Sequence, residues 1–218
     1  RSQVVPGLAA MAASAGAAYL GVQALQGAFQ LAVAGGEFQS GIAQAGAIAQ
    51  ATAEELGILR SAAVEAGLAT KFTPTEAIEG LKELAASGLS ARDAAVALRP
   101  ALDLAVGGEI GITSATEAMS SALNVFSLSA SDAALTADQF LKVSNSTALQ
   151  AKDLTSAIGN LGRGVGLTKQ KIEEILPALG LVRNTGVDAS VAGTAVSSAL
   201  AEMATNASDF KAVGVAVT

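Results

Sequence analysis

Residues Lys71 to Ala95 read KFTPTEAIEGLKELAASGLSARDAA. Thr73 is followed by Pro74 and, three residues on, by Glu76. A hydroxyl residue, a proline at the first helical position and an acid at the third form a capping box, whose side chains satisfy the free N–H groups of a helix start. Ser90 and Asp93 repeat the arrangement after a stop at Gly88. Two helices with punctuated ends therefore occupy this stretch. Ser114 with Glu117, and Ser129 with Asp132, predict two further starts. Asp makes a weaker box than Glu or Gln, but its charge still suits the positive end of a helix. Gly107-Gly108, Gly164, Gly166 and Gly186 read as stops, Thr168 as another cap, and a last helix starts near Asp188. Pro100 and Pro177 fall inside helical patterns, which predicts a break or kink at each. Short helices nucleate poorly, so caps worth about 1 kcal/mol each fix where they begin. Their predicted inward faces include Leu81, Leu84, Val96, Leu98, Leu104, Met119, Leu135, Phe140 and Leu179.

Upstream the style changes. No charged residue occurs from Ser2 to Gly36. Val4, Leu8, Met11, Ala15, Ala18, Val22, Leu25, Phe29 and Ala32 follow one another at alternating spacings of four and three, a coiled-coil seam. A helix from Val4 to Ala32 would be roughly 43 Å long. Its flanks are small and uncharged, which predicts a helix covered on several sides, in a homo-oligomeric bundle, a trimer or larger, or in a close small-residue pair. A membrane-active or spanning helix and an ordinary buried helix are the other readings of the run. Gly35-Gly36 interrupts the pattern, and a second long helix is predicted from Glu37 to Gly67. The expected organisation is an apolar bundle-forming helix over 1–36, a second long helix over 37–67, and a compact bundle of short helices over 68–218. The opening Arg1 and the stop within VGVAVT read as a piece cut from a longer chain at both ends.

Composition supports an all-α fold and narrows the chemistry. The 218 residues are 51% hydrophobic and only 3% aromatic, so the core is built from small side chains packed closely. Asn-Gly and Asp-Gly hairpin turns are absent. A net charge of −6 with no basic run argues against specific nucleic-acid binding. With no Cys and no His, the chain lacks thiolate ligands and the commonest general base. Gly162-Arg163-Gly164-Val165-Gly166 lacks the strand and Lys-Ser/Thr of a phosphate loop and reads as a loop between helices. Glu54-Glu55 and Glu173-Glu174 are neighbours on helices, pointing in different directions rather than across a cleft. A Ser or Thr nucleophile would need a base that no motif supplies. No catalytic residue, cofactor site or metal ligand is assigned, and the expectation is a protein that is not an enzyme.

The run FTPTEAIEGLKELAASGLSARDAAVALRPALDLA resembles the core region of phage tail tape measure proteins. Thr75-Glu76-Ala77, Leu84-Ala85, Gly88-Leu89-Ser90 and Leu104-Ala105 carry the likeness. Further on, Ala137-Asp138 and Asn145-Ser146-Thr147 fit the family's next helical pair, and NTGVDASVAGTAVSSAL fits its Asn-x-Gly and Ala-Gly-Thr-Ala segment. FKAVGVAVT resembles the start of the family's Leu-Gly-Val strand or turn, with Val213 in place of the usual Leu. The likeness runs from about Glu54 to Thr218. It implies a helical protein in the lumen or tip of a phage tail, made in the host cytoplasm, which sets tail length and leaves ahead of the DNA. It implies tail tube, hub or baseplate proteins as partners, and a host membrane as a partner on ejection. The competing functions are a membrane-active pore or effector that uses the N-terminal apolar helix, and a generic helical interaction domain.

Overall fold

The computed structural model describes residues 35–206. Among the described residues the chain forms ten α-helices, two 3-10 turns and no strand. They are α1 (Gly36–Ile48), α2 (Ala53–Ala69), α3 (Pro74–Ala86), α4 (Ala91–Gly107) and α5 (Ile112–Val125). A 3-10 turn (Ala130–Asp132) then leads into α6 (Ala133–Ser146), and a second (Ala151–Asp153) into α7 (Leu154–Gly159). The last are α8 (Gly162–Thr168), α9 (Ile172–Arg183) and α10 (Ala189–Thr205). The predicted seam from Val4 to Ala32 lies outside the described residues.

One connector recurs between these helices. A residue with left-handed backbone follows the helix end, an apolar residue comes next, and the third residue caps the following helix. Gln50-Ala51-Thr52, Gly88-Leu89-Ser90, Glu109-Ile110-Gly111, Ser127-Leu128-Ser129 and Gly186-Val187-Asp188 all take this form. In the first four, the apolar residue's amide donates to the carbonyl five residues back, as Ala51 does to Gly46 at 2.8 Å and Leu128 to Leu123 at 2.8 Å. That bond satisfies a carbonyl the helix would otherwise leave open. The apolar side chain packs against the core and fixes the corner.

The helices form two successive units related by a constant spacing of 77 residues, the distance from Thr52 to Ser129. The left-handed residues Gln50 and Ser127, and Glu109 and Gly186, correspond at that spacing. So do the caps Thr73 and Gln150, and Gly111 and Asp188. Thr70 and Thr147 close α2 and α6 in the same way. Each hydroxyl donates to the carbonyl four back, Ala66 at 2.8 Å and Val143 at 2.9 Å, and accepts from the amide two ahead. The buried set Phe38, Ile42 and Gly46 of α1 recurs as Ala115, Met119 and Leu123 of α5 and as Ala192, Val196 and Leu200 of α10. The first unit is therefore α1 to α4, the second α5 to α9, and α10 takes the place of α1 and α5 a third time. In the second unit the counterpart of α3 is split into the 3-10 turn, α7 and α8.

Packing follows the same order. α1 lies on α2 and α3, and α4 lies on α2, α3, α5 and α6. α5 contacts α3, α4, α6 and α7, while α10 closes over α7, α8 and α9. A continuous apolar core runs from Phe38 to Leu200.

Several expectations are corrected. The long helix over 37–67 is two helices, because the Gln50-Ala51-Thr52 connector folds the chain back on itself. Gly46 permits the close return, since a Cβ there would overlap the Leu56 side chain. No break occurs at Pro100 or Pro177, each of which lies inside a continuous helix. The expected loop at Gly162–Gly166 is helical, and Gly164 serves packing rather than a turn. A Cβ at Gly164 would come 2.5 Å from the Ser197 carbonyl oxygen. Its amide instead donates to Ser197 Oγ at 3.1 Å. Thr168 is not a cap; it is buried at the end of α8, donating to the Gly164 carbonyl at 3.0 Å. Val96 and Leu135 face outward, 52% and 55% exposed, on the sides of α4 and α6 away from the core.

Candidate functional site

The cap residues are distributed over the helix starts rather than gathered in one place. At α3, Thr73 Oγ1 accepts from the Glu76 amide at 3.2 Å, and the Glu76 carboxylate accepts from the Thr73 amide at 2.7 Å. At α4, Ser90 Oγ accepts from the Asp93 amide at 3.2 Å and donates to the Asp93 carboxylate at 2.6 Å. Ser129 donates to Asp132 from its amide at 2.9 Å and its hydroxyl at 2.7 Å, and these bonds open the 3-10 turn before α6. Those bonds hold the Asp132 carboxyl below its ordinary value. Ser114 and Glu117 do not form a start. α5 begins at Ile112 with Gly111 at the cap, which leaves Ser114 inside the first turn. The Glu109-Ile110-Gly111 connector determines that earlier start.

Thr52 and Glu55 form a box that the sequence reading passed over. The Thr52 amide donates to Glu55 at 2.9 Å, and the Glu55 amide donates to Thr52 Oγ1 at 3.3 Å. The signal was present as Thr-Ala-Glu-Glu, hidden inside what looked like one helix. The carboxylate also accepts from Arg92 on α4 at 3.2 Å, and Glu54 pairs with the same guanidinium at 3.4 Å. Glu55 is held below its ordinary value, first by the Thr52 amide, then by the Thr52 hydroxyl and by Arg92.

Two shallow grooves lie at related places. One runs between α2 and α4, lined by Ile58, Ala62, Glu65, Arg92 and Val96. The other runs between α6 and α9, lined by Gln139, Lys142, Thr147, Leu176, Pro177 and Leu181. Ala62, Glu65 and Val96 of the first correspond by the 77-residue spacing to Gln139, Lys142 and Glu173, which line the second. Both grooves mix apolar and charged side chains, with Glu65 and Arg92 in the first and Lys142 and Glu173 in the second. Among the described residues no cluster of acids could hold a metal ion. None of their helices is long and apolar enough to cross a membrane.

Helices joined by a recurring three-residue corner, with shallow grooves between them, define a helical module. A family model described as phage-related minor tail protein matches residues 60–218. The chain is 34% identical over 175 residues to a tape measure protein of Pneumococcus phage Dp-1, covering 78% of this chain and 15% of that protein. The chain belongs to the tape measure family of phage tail proteins. It thus spans a small part of the length of the curated relative it matches. No solved structure matches it.

Proposed function

We propose that this chain is the part of a tape measure protein that joins a ruler-like helical segment to a packed helical module. The observation that carries the reading is the relationship to the Dp-1 protein over most of the chain. In this reading the protein lies in the lumen or tip of the growing tail, made first in the host cytoplasm. The tube subunits polymerise around it, its length decides where they stop, and it leaves ahead of the DNA. The seam from Val4 to Ala32 supports self-association into a trimer or larger bundle, and its small side chains keep that bundle thin. The net charge of −6 supports the passage of DNA by discouraging adhesion to it. Tail tube, hub or baseplate proteins are the expected partners, and the grooves beside α4 and α9 are surfaces they can use.

The test is made in the whole gene, in its phage. Deleting or duplicating whole heptads between Val4 and Ala32 changes tail length by roughly 10 Å per heptad if the segment is stretched helix. Negative-stain microscopy of purified particles reads the length. Tails of unaltered length remove the ruler role from this segment and move ejection to the front.

A further inference from the structure

α8 is helical although its sequence is a poor helix former. It is seven residues long, GRGVGLT, and three of them are Gly162, Gly164 and Gly166. Gly is the weakest helix former after Pro, and isolated helices shorter than about 12 residues are marginal in water. Leu161 stands at the cap position and has no side-chain acceptor to offer. Val165 is the one large apolar side chain that α8 buries, while Leu167 is exposed. What holds α8 as a helix therefore lies outside it. Among the described residues, α8 lies along α10, with a lesser contact to α5.

The missing cap comes from α10. The buried Ser197 accepts at Oγ from the Gly164 amide at 3.1 Å and donates to the Leu161 carbonyl at 3.4 Å. Gly164 is the third residue of α8, and its amide is one that a helix's own cap side chain ordinarily satisfies. Ser120, the counterpart of Ser197 at the 77-residue spacing, makes no such reach. It donates to the Glu117 carbonyl of its own helix at 3.1 Å. The Ser197 contact needs Gly at 164, since a Cβ there would meet the Ser197 backbone. A residue that weakens α8 as a helix is thus the one that lets α10 hold it. Asn160 adds a second tie, donating from Nδ2 to the Ser190 carbonyl of α10 at 3.1 Å.

In the first unit the counterparts of Val165, Gly166 and Leu167 are Gly88, Leu89 and Ser90, the corner between α3 and α4. We propose that α8 is a conditional helix, folded while α10 is docked and released as a loop when α10 lifts, so that the two open and close together. Release turns what is a set corner in the first unit into a hinge between α7 and α9 in the second. The device rests on contacts within the chain and does not depend on the proposed function.

Amide hydrogen exchange of the full 218-residue chain, read residue by residue by NMR, tests the coupling. Gly193→Ala places a Cβ against the Ala157 carbonyl of α7 and so lifts α10 at a point away from α8. Protection of the α8 amides and of the α10 amides is expected to fall together, by about tenfold or more, while α2 to α4 keep theirs. Protection in α8 that survives the loss in α10 overturns the proposal, as does an equal loss in every helix. Gly166→Ala supplies an independent reading should Gly193→Ala fold poorly. Nothing lies within 4 Å of a Cβ at Gly166, so that substitution strengthens α8 without touching α10. Coupling is reciprocal, and protection is expected to rise about threefold to fivefold in α8 and in α10 alike. A rise confined to α8, or none in either helix, overturns the proposal.

Discussion

Pro100 and Pro177 stand at the same position of the two units, each inside a helix. A helical proline cannot donate to the carbonyl four residues back, which here belongs to Val96 on α4 and to Glu173 on α9. Both of those residues are exposed and beside the α2–α4 and α6–α9 grooves. The two units thus keep the same local weakness next to the same surface.

Removing either proline should therefore strengthen its helix. Interior Pro is about 3 kcal/mol less favourable than Ala, and part of that cost is already absorbed by the surrounding fold. Pro100→Ala and Pro177→Ala are each expected to stabilise the protein by about 1 kcal/mol. Urea titration followed by circular dichroism reads both. Opposite signs for the two would show that the equivalence does not extend to energetics.

The contact of α10 with α7 and α8 depends on two glycines. A Cβ at Gly164 would meet the Ser197 backbone, and one at Gly193 would overlap the Ala157 carbonyl. Backbone cannot rotate away as a flexible side chain can. Gly164→Ala and Gly193→Ala are each expected to cost about 1–3 kcal/mol. Gly166, also in α8, has nothing within 4 Å of its Cβ position. Gly166→Ala should leave stability unaltered or raise it by up to about 1 kcal/mol, which the same titration measures.

Thr73 and Ser114 separate a true helix start from a false one. Thr73→Ala removes the acceptor for the Glu76 amide and should cost about 1 kcal/mol. Ser114→Ala, within the first turn of α5, should change stability by less than about 0.5 kcal/mol. A large loss at Ser114 would move the start of α5.

Acid should weaken the fold through Glu55 and Asp132. Both carboxyls are held below their ordinary values of 4.5 and 3.8 in the folded protein. Their contribution is present above those values and is lost as pH falls through the lower folded ones. Melting temperature should drop on acidification across that window. Glu55→Gln and Asp132→Asn should each flatten the slope there, because the replacement can still accept a hydrogen bond but no longer titrates.

Helix chemistry was legible at Thr73 and Ser90 because standard cap residues follow recognisable ends. It was illegible at Gln50, Glu109 and Ser127, where residues other than Gly adopt left-handed backbone, at φ 53°, 54° and 53°. Missing Gln50 fused α1 with α2, and missing Glu109 displaced the start of α5 to Ser114. The glycines of 162–166 misled for a related reason, since one of them serves a close approach that depends on a helix far along the chain. Val96 and Leu135 fit the helical period but lie on exposed sides of their helices, Val96 beside the α2–α4 groove. The unit spacing itself was written in the chain, in PALDL and PALGL and in ATEAMSSAL and AGTAVSSAL, though most corresponding core positions differ in size. Ala63 of α2, for instance, stands where Phe140 does in α6.

A three-residue corner of fixed form has a consequence for how such a gene can change length. Copying a stretch that begins and ends at equivalent corners delivers a segment whose first helix already matches the surface it meets, as α10 meets α7, α8 and α9. Copying one residue more or less within a helix turns the rest of that helix by about 100° about its axis and presents the wrong side. Growth by whole units keeps every corner in register with the helix it serves, so inheritance of the corners favours a step of one unit.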